Sequence, residues 1–319
     1  MSKLFNGDCL EKLGELQCAC VDAIVTDPPY GLSFMGKKWD YEVPSIDIWQ
    51  ECLRVLKPGG HLLSFSSART YHRMACNVED AGFEIRDQIM WVYGSGFPKG
   101  KTQLKPSHEP IVMARKGGKK QELRIDDCRV GNEKRFNLAA GNDKNGNAYN
   151  MSKTGMPENV EGRECIGRWP ANLIHDGSEE VINLFPESNS SRIGNPNNPH
   201  RGVNHTATSY GKGDGKETHD FRDQGSAARF FYCAKASNSD RGKGNNHPTV
   251  KPIDLMRYLI RLVCPVGSVV LDPFMGSGTT GKAALEEGME FIGIEQSEKY
   301  MNISKKRLTN VPYQAGLFT

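Results

Sequence analysis

Hydrophobic and polar positions divide the chain into three stretches of different rhythm. In the first ninety-odd residues, short apolar runs alternate with segments of helical period. Ala23 to Val25, inside VDAIVTDPPY, is an apolar strand cut off by Pro28 and Pro29. Ile46, Trp49, Leu53 and Leu56 recur at helical spacing and predict a helix that Lys57-Pro58-Gly59-Gly60 stops. His61 to Ser66 reads as the next strand, Tyr71 to Ala81 as a helix and Gln88 to Tyr93 as a strand. From Gly94 to about Gly225 the pattern dissolves into Gly, Asn, Lys, Ser and Pro, as in GNDKNGNAYN and RIGNPNNPHRG. Three apolar clusters interrupt it: Ile111 to Ala114, Trp169 to Ile174 and Val181 to Phe185. Regular structure resumes at Ala227 to Ala234. It continues with a helix near Ile253 to Cys264, the strand Ser268 to Asp272, a glycine turn and a helix near Thr280 to Gly288. The strand Glu290 to Glu295 and a last helix, Glu298 to Leu308, complete it.

Strands alternating with helices through short turns predict an α/β fold with a mostly parallel, doubly wound sheet. The three rhythms divide the chain into residues 1–94 and 227–319, both of regular structure, and 95–226, an irregular region between them. At 319 residues, with 25% charged and 37% hydrophobic residues, a buried core needs no disulfide or metal staple. No apolar run approaches the ~18 residues of a spanning helix, and MSKLFNGDCL lacks the charged-then-apolar pattern of a leader, so a cytoplasmic protein is expected. Nine cysteines without a C-x-x-C pair fit reduced thiols. The net charge of +3 is unevenly spread: between Ser95 and His247 lysine and arginine outnumber the acids, whereas the ends together are net acidic. A basic middle suits a polyanionic partner.

VVLDPFMGSGTTGKAALEEGMEFIGIE reads as strand, glycine turn, helix and a strand ending in an acid. Gly276, Gly278 and Gly281 fit G-x-G-x-x-G, and Glu295 stands where an acid would accept hydrogen bonds from a ribose. A nicotinamide dinucleotide and S-adenosylmethionine both satisfy that spacing. Asp272, just before the turn, would repel a pyrophosphate but attract an ammonium and a sulfonium, which favours S-adenosylmethionine.

Asp27-Pro28-Pro29-Tyr30 follows an apolar strand directly. A double proline there can be a mere stop, but the four residues also suit methyl transfer onto an exocyclic amine. The lone pair of such an amine is delocalised into its ring. Two acceptors placed on its two hydrogens, the Asp27 carboxylate and the carbonyl of Pro28, would draw the nitrogen toward tetrahedral geometry. The prolines set φ and so aim that carbonyl in advance. Tyr30 offers a face on which a flipped base can stack. This chemistry requires no metal, and no metal-ligand spacing is present in the sequence.

With DPPY early, HPTVKP at 247–252 and DPFMGSGTT at 272–280, the sequence resembles the permuted, or β-group, amino-methylating DNA methyltransferases. The resemblance covers roughly residues 3–115 and 227–308. It implies a circularly permuted, Rossmann-like methyltransferase sheet in which 1–94 is the catalytic half, 95–226 a target-recognition region and 227–319 the cofactor-binding half. Asp27, Pro28, Pro29 and Tyr30 match the family's catalytic motif. Phe274, Gly276, Ser277, Gly278 and Thr279 match its cofactor loop, and Glu295 the ribose acid. Asp8 and Cys9, in NGDC, resemble the segment that meets the cofactor's adenine, although Asp8 also reads as an N-cap. Lys251, with Thr249 beside it, resembles the residue that meets the cofactor's carboxylate.

Aspartate at the head of the motif favours adenine N6, since the family's cytosine-N4 enzymes more often carry serine there. Cytosine N4 of DNA, RNA or a protein amide are the alternative substrates, and a nicotinamide-dependent oxidoreductase the alternative class. The implied partner is double-stranded DNA, with a homodimer and a cognate restriction endonuclease as further expectations. Candidate DNA contacts are Phe34, Lys37 and Lys38 in the loop after the motif, Lys99, Lys101 and Lys105, and Arg168 and Trp169. Arg115, Lys116, Lys119 and Lys120 form a second basic group, and Arg163 a further candidate.

Overall fold

The computed structural model describes residues 2–33, 36, 40–97, 101–118, 121–138, 162–189, 224–235, 237–242, 244–309 and 311. They divide into two compact units, one of residues 1–128, 170–182 and 231–319, the other of residues 129–169 and 183–230.

The first unit is built on one sheet. Its strands are β1 (Ser2–Asn6), β2 (Val21–Thr26), β3 (Leu56–Phe65), β4 (Glu84–Val92) and β5 (His108–Arg115). The second unit carries β6 (Val130–Leu138) and β7 (Gly162–Arg168). The first unit continues with β8 (Leu173–His175), and the second adds β9 (Glu187–Asn189) and β10 (Gln224–Ser226). Strands β11 (Tyr232–Cys233), β12 (Val269–Asp272) and β13 (Glu290–Glu295) return to the first. The sheet order is β1-β13-β12-β2-β3-β5-β4-β8-β11. All neighbours are parallel except β5, which runs antiparallel to both β3 and β4. The last two strands of the chain thus lie between the first two, with Ser2 opposite Phe291 and Ala23 opposite Val270. The two ends of the chain complete one sheet, as the permuted order of motifs predicts.

Both faces of this sheet are covered. One face packs against α1 (Cys9–Gly14), α2 (Ile46–Val55) and α3 (Tyr71–Asp80) through Leu13, Trp49, Cys52, Val55, Met74 and Val78. Two single-turn helices, α4 (Glu179–Ile182) and α5 (Asn238–Arg241), lie in the connections. The other face packs against α6 (Ile253–Val263), α7 (Thr279–Glu286) and α8 (Glu298–Thr309). Side chains alternate accordingly: Ala23 and Val25 of β2 join one core and Ile24 the other. Among the described residues no helix is long and apolar enough to cross a membrane.

Three features differ from the sequence reading. Ile111 to Ala114, placed within the irregular middle, is the centre of β5, buried and hydrogen-bonded on both sides within the main sheet. Ile174 likewise belongs to that sheet, through β8. Flanking polar loops mask both strands in sequence, because their partners lie far away along the chain. The segment 57–60 ends α2 but belongs to β3, entering the sheet through an irregular register opposite Val21 to Ala23. The described part of the second unit consists of the antiparallel pairs β6–β7 and β9–β10, with a helical turn at Ala227–Phe230.

Candidate active site

The carboxyl ends of the parallel strands β2 and β12 are neighbours, and each ends in the polar residues singled out above. This is where ligands bind in open α/β sheets. A cavity of about 1450 Å³ opens there within the first unit. Asp8, Cys9, Asp27, Pro28, Pro29, Tyr30, Thr249, Lys251, Phe274, Gly276 and Glu295 all line it. Asp272, Ser277 and Thr279 instead line a small adjoining pocket of about 30 Å³ with Asp27, His247 and Lys251. Gly278 sits behind the turn as the residue preceding α7.

Around the DPPY motif the side chains form a closed ionic cluster. The Lys251 ammonium donates to Asp27 Oδ2 at 2.7 Å and to the Tyr30 hydroxyl at 3.0 Å, and lies 3.1 Å from Glu109 Oε2. The Tyr30 hydroxyl stands 2.6 Å from Asp27 Oδ1 and 2.9 Å from Glu109 Oε2. Burial alone would push the Lys251 ammonium down, but Asp27 and Glu109 together hold it above the ordinary lysine range. Burial, and then the charges of Asp27 and Glu109, push the Tyr30 phenol well above its usual value. Lys251 is 7% exposed and packs over the rings of Phe65 and Tyr30. An ammonium has three hydrogens, and these three oxygens use all of them.

The loop that carries Tyr30 is held from behind. Asp40, buried, accepts the N–H groups of Tyr30 at 2.6 Å, Gly31 at 3.1 Å and Leu32 at 3.3 Å, and its own carbonyl accepts from Ser33. Thr70 donates its hydroxyl to the Tyr30 carbonyl.

The glycine turn is shaped by left-handed backbone at Gly276 (φ 55°) and Gly278 (φ 81°). A Cβ at Gly276 would come within 3.0 Å of His247 Nε2, and one at Gly281 within 2.5 Å of the Phe291 ring. The first glycine therefore permits the turn, and Gly281 lets α7 press onto β13. Glu295 accepts Gly276 N–H at 2.8 Å and Ser297 N–H at 2.7 Å. Burial pushes its carboxyl up to about 7. Asp272 accepts the Thr26 hydroxyl at 2.6 Å and Phe274 N–H at 3.0 Å, and burial pushes it up to about 6. Gly278 N–H is taken by the Met275 carbonyl. The amides at 274, 276 and 278 are thus already engaged, two of them by carboxylates. A pyrophosphate needs such amides, whereas a phosphate-free, cationic cofactor does not.

Asp8 caps α1, accepting from Leu10 and Glu11, while facing the cavity beside Cys9, whose thiol burial pushes up to about 12. The Phe274 ring meets Trp49 edge-on, their centroids 6.4 Å apart. Thr249 contributes a carbonyl to His247 Nδ1.

Asp40, Glu109, His247 and Arg307 were not singled out by sequence reasoning as site residues with roles. Arg307 on α8 ties down the glycine turn through the Ser277 carbonyl at 2.6 Å and hydroxyl at 3.0 Å, and the Thr279 hydroxyl at 3.1 Å. His247 lies in the HPTVKP motif, but no local signal marks Asp40, Glu109 or Arg307, since each acts across a long loop or between distant segments.

The proposed DNA contacts separate. Phe34, Lys37, Lys38, Lys99, Lys119 and Lys120 lie outside the described residues, as does the side chain of Arg163. Lys101 and Lys105 are exposed, and Lys105 lines the cavity. In the second unit Arg168 is engaged internally, over the Phe230 ring at 4.1 Å and near Glu133 at 3.8 Å. Trp169 is exposed with Arg129 over its ring. Arg115 and Lys116 serve the core: Arg115 pairs with Glu84, and Lys116 donates to the carbonyls of Leu53 and Leu56 where α2 ends.

Comparison with known proteins gives a consistent set. Residues 21–306 match the family model described as DNA methylase. The DNA adenine methyltransferase YhdJ of Escherichia coli (strain K12) is 25% identical, over 96% of this chain and 82% of its own. The type II methyltransferase M.HinfI of Haemophilus influenzae is 24% identical, over 98% and 69%. Among solved structures, the M1.HpyAVI–SAM complex is 21% identical over 97% of this chain and 99% of its own, with a TM-score of 0.51. The PvuII cytosine-N4-specific methyltransferase is 16% identical over 98% and 88%, with a TM-score of 0.54.

Proposed function

Because this chain belongs to the DNA methylase family, we infer that it transfers a methyl group from S-adenosylmethionine to N6 of an adenine flipped out of double-stranded DNA. The observation that carries this reading is the single cavity onto which both Asp27-Pro28-Pro29-Tyr30 and the glycine turn open. At about 1450 Å³ it exceeds the ~300–1,000 Å³ of an ordinary small-molecule site, and so has room for a cofactor and a nucleoside together.

S-adenosylmethionine fits the residues at the turn, whose amides are occupied and whose cavity-lining acid, Glu295, suits a ribose, whereas Asp272 is buried against Thr26 and does not face the cavity. When bound, it supplies an electrophilic methyl group on sulfur. Phe274 offers the adenosine a ring, Glu295 and Asp8 offer acceptors, and Gly276 lets the backbone come close. Lys251 acts in this reading on the catalytic motif rather than on the cofactor's carboxylate, because its hydrogens are spent on Asp27, Tyr30 and Glu109. It fixes the Asp27 carboxylate in place. Each Asp27 oxygen keeps a further lone pair, so the carboxylate can accept one hydrogen of the target amine while the Pro28 carbonyl accepts the other. The Tyr30 ring stacks on the base.

Adenine is favoured by aspartate at the head of the motif and by the name of the E. coli relative. The fold does not choose the base, since a cytosine-N4 enzyme shares it. In the same reading Lys101 and Lys105 meet DNA phosphates, the second unit reads the target, and a homodimer and a cognate endonuclease are its further partners. Transfer of labelled methyl to unmethylated DNA, followed by separation of the nucleosides, tests it. Label in N6-methyladenine is expected, label in N4-methylcytosine would overturn the base, and label in RNA or protein alone would overturn the substrate.

A further inference from the structure

The cluster around Tyr30 holds one more short oxygen–oxygen contact than its hydrogens explain. The phenol has a single hydrogen, yet its oxygen lies 2.6 Å from Asp27 and 2.9 Å from Glu109. Its remaining acceptor capacity meets Lys251 at 3.0 Å. One hydrogen serves only one of the two carboxylates at a time, so the hydroxyl bridges two acceptors, and the second contact becomes a hydrogen bond only when a proton enters the cluster. The charges agree: two carboxylates and one ammonium leave a single negative charge, which one added proton cancels. In the chemistry derived above Glu109 only pairs with Lys251.

We propose that Glu109 is the terminal proton acceptor of the methyl transfer, reached from Asp27 through the hydroxyl of Tyr30. As the nitrogen lone pair forms the new N–C bond, the C–S bond breaks and its electron pair leaves with sulfur. The amine is left with one positive charge and one proton too many. Asp27, already bonded to the amine, takes that proton and passes a proton to the Tyr30 oxygen, while the phenolic hydrogen moves to Glu109. The amine ends neutral, Tyr30 ends as it began, and Glu109 carries the added proton. Its side chain is 20% exposed and lines the cavity, so the proton leaves to water once product departs. Glu109 acts through Tyr30 and does not touch the reacting atoms. The other ionisable groups facing this cluster are Tyr93 beyond β4, His247 before α6 and Asp272 at the end of β12.

The inference rests on the methyltransferase reading, and wild-type transfer to DNA in the same assay tests that reading separately. On cofactor-free protein, carboxyl-carbon NMR can follow Asp27 and Glu109 through pH. Coupled two-step curves are expected in the wild type, with the coupling weakened in Tyr30→Phe, which leaves only the shared Lys251 ammonium between the two carboxylates. Independent curves in the wild type would overturn the relay. In turnover, Glu109→Gln keeps an oxygen for Lys251 and should lower kcat about 10²-fold with cofactor affinity by calorimetry unchanged, and formate should partly restore Glu109→Ala. An unaltered kcat in Glu109→Gln, or a loss matched by lost cofactor affinity, sinks the proposal. Should Glu109→Gln fail to fold, the titration of Tyr30→Phe decides it.

Discussion

At the scale of single residues, the proposed function gives chemistry and cofactor binding to different side chains. Asp27→Ala should reduce turnover roughly 10³-fold or more while calorimetry still detects S-adenosylmethionine, because Glu295, Phe274 and the glycine turn are untouched. Residual activity near wild type would remove Asp27 from its role. Glu295 allows a second test, through pH. Burial pushes its carboxyl up to about 7, from an ordinary 4.5. Between those values the folded chain holds a proton that the unfolded chain has released, so this group's contribution to stability falls as pH rises through the window. Glu295→Gln lacks that proton, and the wild type's Tm relative to this variant should drop as pH rises from 4.5 to 7. The buried His61, pushed down to about 4, shifts oppositely but is common to both proteins. A pH-independent difference in Tm would show that Glu295 titrates normally.

At the scale of elements, the glycine turn is a junction between β12, α7, β13 and α8. Gly281 faces the Phe291 ring so closely that a methyl group must displace it. Gly281→Ala should therefore cost about 1–3 kcal/mol, read as a lower Tm or denaturation midpoint, and wild-type stability would refute the packing argument. Arg307 grips the same turn from α8 through three oxygens of Ser277 and Thr279. Arg307→Ala should weaken cofactor binding about tenfold, on the order of 1.4 kcal/mol, with kcat at saturation preserved. A lower kcat at unchanged affinity would place Arg307 elsewhere in the reaction. The elements hardest to see in sequence are β5 and β8. Neither is bounded by recognisable helices, and β5 inserts antiparallel between strands that precede it in the chain.

For the whole molecule, the basic middle makes DNA binding an electrostatic matter. Lys101 and Lys105 are exposed, Lys105 within the cavity-lining segment 102–109 and Lys101 next to it. Replacing Lys101 and Lys105 together by alanine should weaken DNA binding alike for all sequences. It should also flatten the dependence of log K on log salt by about 1.8, given roughly 0.9 per phosphate contact. An unaltered slope would exclude both as phosphate contacts. Arg115 and Lys116, basic neighbours in the same sequence region, would report differently, because their charges are consumed by Glu84 and by the end of α2.

The chain by itself determined its class of fold, its permuted order and the two motifs that meet at the site. Those properties are local: hydrophobic period, strand-ending prolines and glycine spacing all act within a few residues. Only the tertiary structure decided what each charged side chain faces. Lys251 turned out to hold Asp27, Tyr30 and Glu109, and Asp272 to be buried against Thr26. The physical reason is that electrostatic partnership depends on distance in space. Asp27 and Lys251 stand 224 positions apart in sequence and 2.7 Å apart in the folded chain.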